Sequence, residues 1–349
     1  MSYDGPVNAF PGDHELPISL YGYTPNRGFN IFAAVVWGLV LVAHVWWLVK
    51  KRTRGIQAMI VIGSIWELIG YAIRAHTYLR PFRSDLFIAQ YTILHTAPIF
   101  FIMALVNAIG WGMRGTDNSS VYKRFRPRTL TSVLQALNAI VLILVTIGST
   151  MYAVALARLA NLEDVRFKGS ATRKVLIAGH ALKIVSLLAI LAILTHLFLH
   201  FKRDPVRHTR HTDGPIGTTT TGTTGHTAVD GTTTTHTGPH TTTTGTHTTA
   251  IDQTATGPHT GRAITKLFLA ISFLTAGMLL TRTCYRLAET VQDVYSRPWN
   301  SEALFGVFEF AITWSVVAIW AARPFATQLA PAGIVNAHDG VGHTNKAHV

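Results

Sequence analysis

Seven apolar blocks, at residues 31–49, 56–75, 87–111, 130–157, 175–201, 264–281 and 303–321, divide this chain from end to end. An α-helix rises about 1.5 Å per residue, so each block is long enough to cross a hydrocarbon layer of roughly 30 Å, the shorter ones with little tilt. Inside that layer no water satisfies backbone N–H and C=O groups, and the helix is the form that satisfies them within one segment. The expected fold is therefore all-α: a polytopic membrane protein built as a seven-transmembrane-helix bundle. Composition agrees, with 48% hydrophobic and only 13% charged residues, where soluble domains carry charge on about a quarter of positions. Pro98 falls inside the third block and is expected to kink that helix, with a neighbouring helix satisfying the carbonyl it frees.

The formal net charge of +13 is a membrane signature here, not a nucleic-acid one, because the basic residues sit between apolar blocks. Lys50, Lys51, Arg52 and Arg54 fill the first connection, Arg114, Lys123, Arg124, Arg126 and Arg128 the third, and Lys202, Arg203, Arg207 and Arg210 open the fifth. This pattern predicts an outside N-terminus and a cytosolic C-terminus. Arg158, Arg166, Lys168, Arg173 and Lys174 in the fourth connection run against it. Residues 1–30 form an extracellular segment without the apolar core of a cleavable leader, so the first span is expected to direct insertion. Spans one to five occupy 31–208, spans six and seven 262–322, and a cytosolic tail 323–349. Between the two groups of spans, residues 209–261 form a Thr/Gly/His-rich cytosolic insert too poor in large apolar residues to bury a core, and it is expected to be disordered. With Cys284 as the one cysteine, no intrachain disulfide is possible.

Charge at membrane depth is costly, so each buried ionisable group needs a partner or an aqueous cavity. Gly63, Glu67, Gly70, Tyr71 and Arg74 fall within one arc of the second helix at about 100° per residue. Arg282, Arg286, Glu289 and Asp293 follow one face of the sixth at steps of four, three and four. Glu302 and Glu309, seven residues apart at the start of the seventh span, are expected to align. All three stripes lie toward the outer end of the bundle, with three arginines against five acids. Two readings stand: an ion-pair network that fixes helix register, or a polar cavity that holds the head group of an amphiphile. One network can do both.

His44, His95, His180, His196 and His200 lie in or beside the spans. A bis-histidine haem site is conceivable, although the spacing singles out no pair, and each is better read as a hydrogen-bonding link between helices. The sequence carries no phosphate-binding glycine loop, no nucleophile elbow and no zinc-protease motif. The expectation is a non-enzymatic protein without a cofactor.

The residues also resemble a known family. Tyr21-Gly-Tyr-Thr-Pro25 with Asn30 and His44, the stretch Gly63-Ser-Ile-Trp-Glu67-Leu-Ile-Gly70-Tyr71-Ala-Ile-Arg74, Gln90, Ala97-Pro98-Ile-Phe100, Arg128-Thr-Leu130-Thr131, Gly179, Arg282 with Arg286 and Glu289, and Glu302 with Phe308 together resemble the fungal RTA-like lipid-translocating exporter family. The resemblance implies seven helices in a plasma membrane. It further implies translocation or export of amphipathic lipids such as sphingoid long-chain bases, or resistance to membrane-active compounds. The residues expected to bind substrate are Glu67, Tyr71, Arg74, Arg282, Arg286, Glu289, Glu302 and Glu309. The expected partners are membrane lipids and a lipid-like substrate, with no nucleic acid. At Asn138, Val145 and Lys183 the chain departs from that family's pattern. A seven-helix lipid or sterol sensor that signals through its cytosolic loops is the alternative.

Overall fold

The computed structural model describes residues 7–10, 15–21, 23–50, 54–114, 127–160, 169–203, 262–263, 265–292, 301–328 and 330–331. Asp293 and the Thr/Gly/His-rich insert lie outside them. Seven long helices match the seven apolar blocks: α1 Arg27–Lys50, α2 Arg54–Thr77, α3 Ser84–Arg114, α4 Pro127–Ala160, α5 Gly169–Arg203, α6 Lys266–Val291 and α7 Glu302–Ala322. Each is long and apolar enough to cross a membrane. Helix α6 runs ten residues past its apolar block because its last three turns carry the buried stripe Arg282, Arg286 and Glu289. A short helix α8, Phe325–Gln328, follows, together with a two-residue antiparallel pairing of β1, Arg262–Ala263, with β2, Ala330–Pro331. Nothing in the hydropathy pattern announces that pairing.

The helices belong to one compact unit, Met1–His200 with Thr260–Val349; of the second, Phe201–His259, only the end of α5 is described. Within the first unit α3 is the most buried span, packed against α2, α4 and α6. The outward faces are apolar: Val35, Leu39, Val42 and Trp46 form an exposed stripe on α1, and Ile140, Ile143 and Ile147 another on α4. Apolar residues directed outward around a polar interior are the arrangement a lipid solvent selects.

Polar side chains link the helices where small residues let them approach. Thr92 and Thr96 of α3 meet Thr150 and Thr146 of α4 at 3.1 and 3.2 Å, and Ser186 of α5 donates to Asn138 of α4 at 3.0 Å. His44 joins three helices, with Nδ1 3.0 Å from Gln57 Oε1 on α2 and Nε2 3.1 Å from the Val317 carbonyl on α7. Replacing His44 with leucine keeps the volume, deletes both bonds and leaves the buried Gln57 oxygen unpaired, so about 2–3 kcal/mol of stability should be lost. A thermal melt of the detergent-solubilised variant checks this; an unchanged midpoint would show that His44 only fills space.

Arg173, one of the cations that blur the charge pattern, has a structural task. Its Nε donates to the Thr290 carbonyl at 2.8 Å and its Nη2 to the Val291 carbonyl. These are last-turn carbonyls of α6, which have no partner within their own helix.

Candidate functional site

The helical spacing on α2 and α6 places the expected residues where their stripes predict, facing one another inside the bundle. Glu67, Arg282 and Glu309 are fully or almost fully buried, and Arg286 and Glu289 nearly so. Arg282 Nη2 donates to Glu67 Oε1 at 3.2 Å and also pairs with Glu309 Oε1. Arg286 donates through Nε to Glu309 Oε2 at 2.7 Å and through Nη1 to Glu289 Oε2 at 2.6 Å. The five side chains form one chain of charge-assisted bonds, Glu67–Arg282–Glu309–Arg286–Glu289, with Glu309 shared by both guanidinium groups.

Pro98 explains one further bond. Its missing N–H leaves the Leu94 carbonyl, four residues earlier, without a helical donor, and Arg282 Nη2 supplies one at 3.0 Å. The break in α3 is thus tied to the ionic centre.

Three expected members stand apart from this network. The expected alignment of Glu302 with Glu309 does not hold, because α7 opens into a π-helical stretch at Gly306–Ala311, with the Ile312 N–H bonded to the Val307 carbonyl five residues back. The wider turn needs more residues per revolution, so a seven-residue spacing no longer returns to one face. Glu309 is directed inward while Glu302, half-buried, accepts from the Asn26 backbone N–H at 2.8 Å. Arg74 is 2% exposed, yet no carboxylate lies within ion-pair distance among the described residues. It donates to the Tyr23 hydroxyl and lies against aromatic rings, its Cζ 4.0 Å from the Phe305 centroid and 5.1 Å from that of Tyr21. Tyr71 is buried edge-on to Phe305 and Phe310, and its hydroxyl has no hydrogen-bond partner among the described residues.

The N-terminal segment supplies what the stripes alone do not reveal. Leu16, Leu20 and Tyr21 pack with Phe87, Tyr91, Tyr152, Leu156 and Leu176 at the ends of α3, α4 and α5. Leu16 is pinned by a 2.8 Å bond from its N–H to the Phe82 carbonyl, and the Tyr21 hydroxyl donates to Gln90 Oε1 at 2.6 Å. Beneath this segment is a cavity of about 30 Å3 lined by Tyr21, Tyr23, Arg74, Phe87, Gln90, Tyr91, Arg286, Glu289 and Phe305. It joins one end of the ionic chain to the N-terminal tyrosines. Burial pushes the Tyr21 hydroxyl up to about 12 and raises that of Tyr23, so both remain protonated donors near neutral pH. The signal for this cover is the cluster of Leu16, Ile18, Leu20, Tyr21 and Tyr23 in an otherwise polar stretch.

The histidines divide. His44 is the interhelical link expected of it, whereas His95 bonds the Tyr91 carbonyl of its own helix at 2.8 Å. His180 faces His95 with ring centroids 5.6 Å apart and makes no hydrogen bond among the described residues. Among the described residues no three His, Cys, Asp or Glu side chains come together as a metal site.

Seven membrane-length helices around a buried ionic centre define a multi-pass membrane protein with a polar interior. The family profile described as RTA1 like protein matches residues 60–328, from the α2 stripe to the end of α8, and the chain belongs to that family. It matches no curated protein and no solved structure.

Proposed function

We propose that this protein translocates or exports amphipathic lipids, such as sphingoid long-chain bases, across the plasma membrane. Such transport would also confer resistance to membrane-active compounds. The observation that carries the proposal is the ionic chain from Glu67 to Glu289 opening onto a polar cavity at one end of a lipid-facing bundle. The charge pattern of the connections supports an outside N-terminus, which puts that cavity at the outer leaflet. No covalent step is required: a polar site shelters the head group while the acyl chain stays in lipid, and two conformations differ in access. Conversion between them must break or re-pair the charges shared by α2, α6 and α7.

Protein reconstituted in vesicles should accelerate leaflet exchange of a fluorescent sphingoid base. Glu67→Gln should abolish most of that acceleration, because Glu67 holds Arg282 between α2 and α6. Binding of the base without exchange, together with capture of a cytosolic partner, would replace the transporter by a lipid sensor. Exchange equal to that of empty vesicles would also overturn the proposal.

A further inference from the structure

Arg74 is a buried cation whose bonding is incomplete. Its single hydrogen bond among the described residues runs to the Tyr23 hydroxyl, and its Nε is buried with no acceptor. The rings around it, Phe305 at 4.0 Å, Tyr21 at 5.1 Å and Tyr23 at 5.8 Å, favour a cation but accept no strong hydrogen bond from it. A guanidinium has five N–H donors and no acceptor. The Tyr23 hydroxyl, which accepts from Arg74, still has a proton to donate. Both groups line the same cavity, so this part of its wall presents donors in excess of acceptors.

The carboxylates nearby do not supply the deficit. Glu289 lines the cavity too, but Arg286 holds it through a 2.6 Å bond. Glu302 accepts from the Asn26 N–H through Oε1 at 2.8 Å, and no ion pair reaches Arg74 from either residue. Among the described residues the other acids of the stripes, Glu67 and Glu309, are committed to Arg282 and Arg286. Glu289 and Glu302 are near enough to attract Arg74 but accept no hydrogen bond from it; an ammonium head group has only donors to offer there, whereas an oxyanion would complete the bonding of both Arg74 and Tyr23.

We infer that the cavity between the N-terminal tyrosines and Arg74 is an oxyanion subsite, seating the phosphate of a phosphate-monoester amphiphile with Arg74 as its counter-ion and Tyr23 as a second donor. This rests on the lipid-handling role proposed above and, among its amphipathic cargo, favours the phosphorylated form of a sphingoid base over the free base.

Binding to full-length protein in nanodiscs, followed by intrinsic fluorescence, tests the inference with three probes: a sphingoid base phosphate, the same base without phosphate, and inorganic phosphate. The phosphorylated base should bind at least about tenfold tighter than the bare base, the worth of one charge-assisted hydrogen bond. Arg74→Gln should erase that preference, and Arg74→Lys should retain part of it. Should Arg74→Gln not fold, Tyr23→Phe, which removes only one hydroxyl from the N-terminal segment, should still reduce the preference several-fold. Competition by inorganic phosphate alone, lost in the same variants, would equally place the oxyanion at Arg74 and assign the anchoring to phosphate, not to the acyl chain. Equal binding of the two bases, or a preference that survives both substitutions, overturns the subsite. Leaflet exchange is read separately: a phosphate preference without exchange counts against transport alone, while exchange of the phosphorylated base that is indifferent to Arg74→Gln counts against the subsite alone.

Discussion

Glu309→Gln should destabilise the protein by about 3–5 kcal/mol, the usual effect of removing one partner from a buried ion pair. Glu309 is completely buried and is the one acid that both Arg282 and Arg286 share. Glutamine has nearly the same shape, so packing is preserved while the charge is lost. Arg282 then keeps only Glu67 and the Leu94 carbonyl, and Arg286 keeps only Glu289. The two guanidinium groups cannot shed their protons, and Arg282, 2% exposed, has no route to water. Glu302→Gln is the matched comparison, the same change seven residues earlier on the same helix. Glu302 is half-buried and accepts one backbone N–H, so its loss should cost no more than about 1 kcal/mol. Thermal unfolding of the two purified variants, followed by tryptophan fluorescence, distinguishes them. Equal midpoints would mean that the π-helical turn does not separate the two acids in the way described.

That contrast also marks where the sequence is informative and where it is not. The spans were legible because a bilayer imposes a length on apolar runs, and the arc of Glu67, Tyr71 and Arg74 was legible because α2 is regular throughout. The Glu302–Glu309 spacing misled because it assumes 3.6 residues per turn, and the π stretch at Gly306–Ala311 breaks that assumption. No residue in that stretch announces the wider turn. Arg74 shows a second limit. Periodicity assigns a side chain to a face of its helix but does not pair it across helices, so Arg74 was expected among the acids and instead lies in an aromatic enclosure one turn beyond Tyr71. The Pro98 kink predicted that some donor must reach the freed carbonyl, and only the assembled bundle identifies it as Arg282. The N-terminal cover was hardest to read, because the alternation of Leu16, Ile18 and Leu20 is too short to say what it packs against, although Tyr21 and Tyr23 belong to the stretch that carries the family resemblance.

Gly148→Ala should act in the opposite direction to the same change at Gly38. A Cβ at position 148 would stand 2.9 Å from Leu176 Cα and 3.0 Å from Leu176 N, which are backbone atoms of α5. At Gly179 the relation is mirrored, with a Cβ meeting Val145 Cγ2 at 2.9 Å and the Val145 backbone N at 3.3 Å. The two glycines therefore set how closely α4 and α5 approach, in the small-residue manner of membrane helices. A side-chain obstacle could rotate away, but a helix backbone can move only as a unit, so Gly148→Ala should cost about 1–3 kcal/mol as overpacking. Gly38 on α1 has nothing within 4 Å of the added carbon, and alanine there should gain about 0.5–1 kcal/mol from helix propensity. Displacement at Leu176 also bears on the site. Arg173, three residues earlier on α5, holds the last carbonyls of α6, and that helix carries Arg286 and Glu289. Gly148→Ala should thus slow leaflet exchange as well as lower the melting midpoint, with Gly38→Ala sparing both. If the two alanines shift the midpoint in the same direction, the close approach of α4 and α5 is not what Gly148 provides.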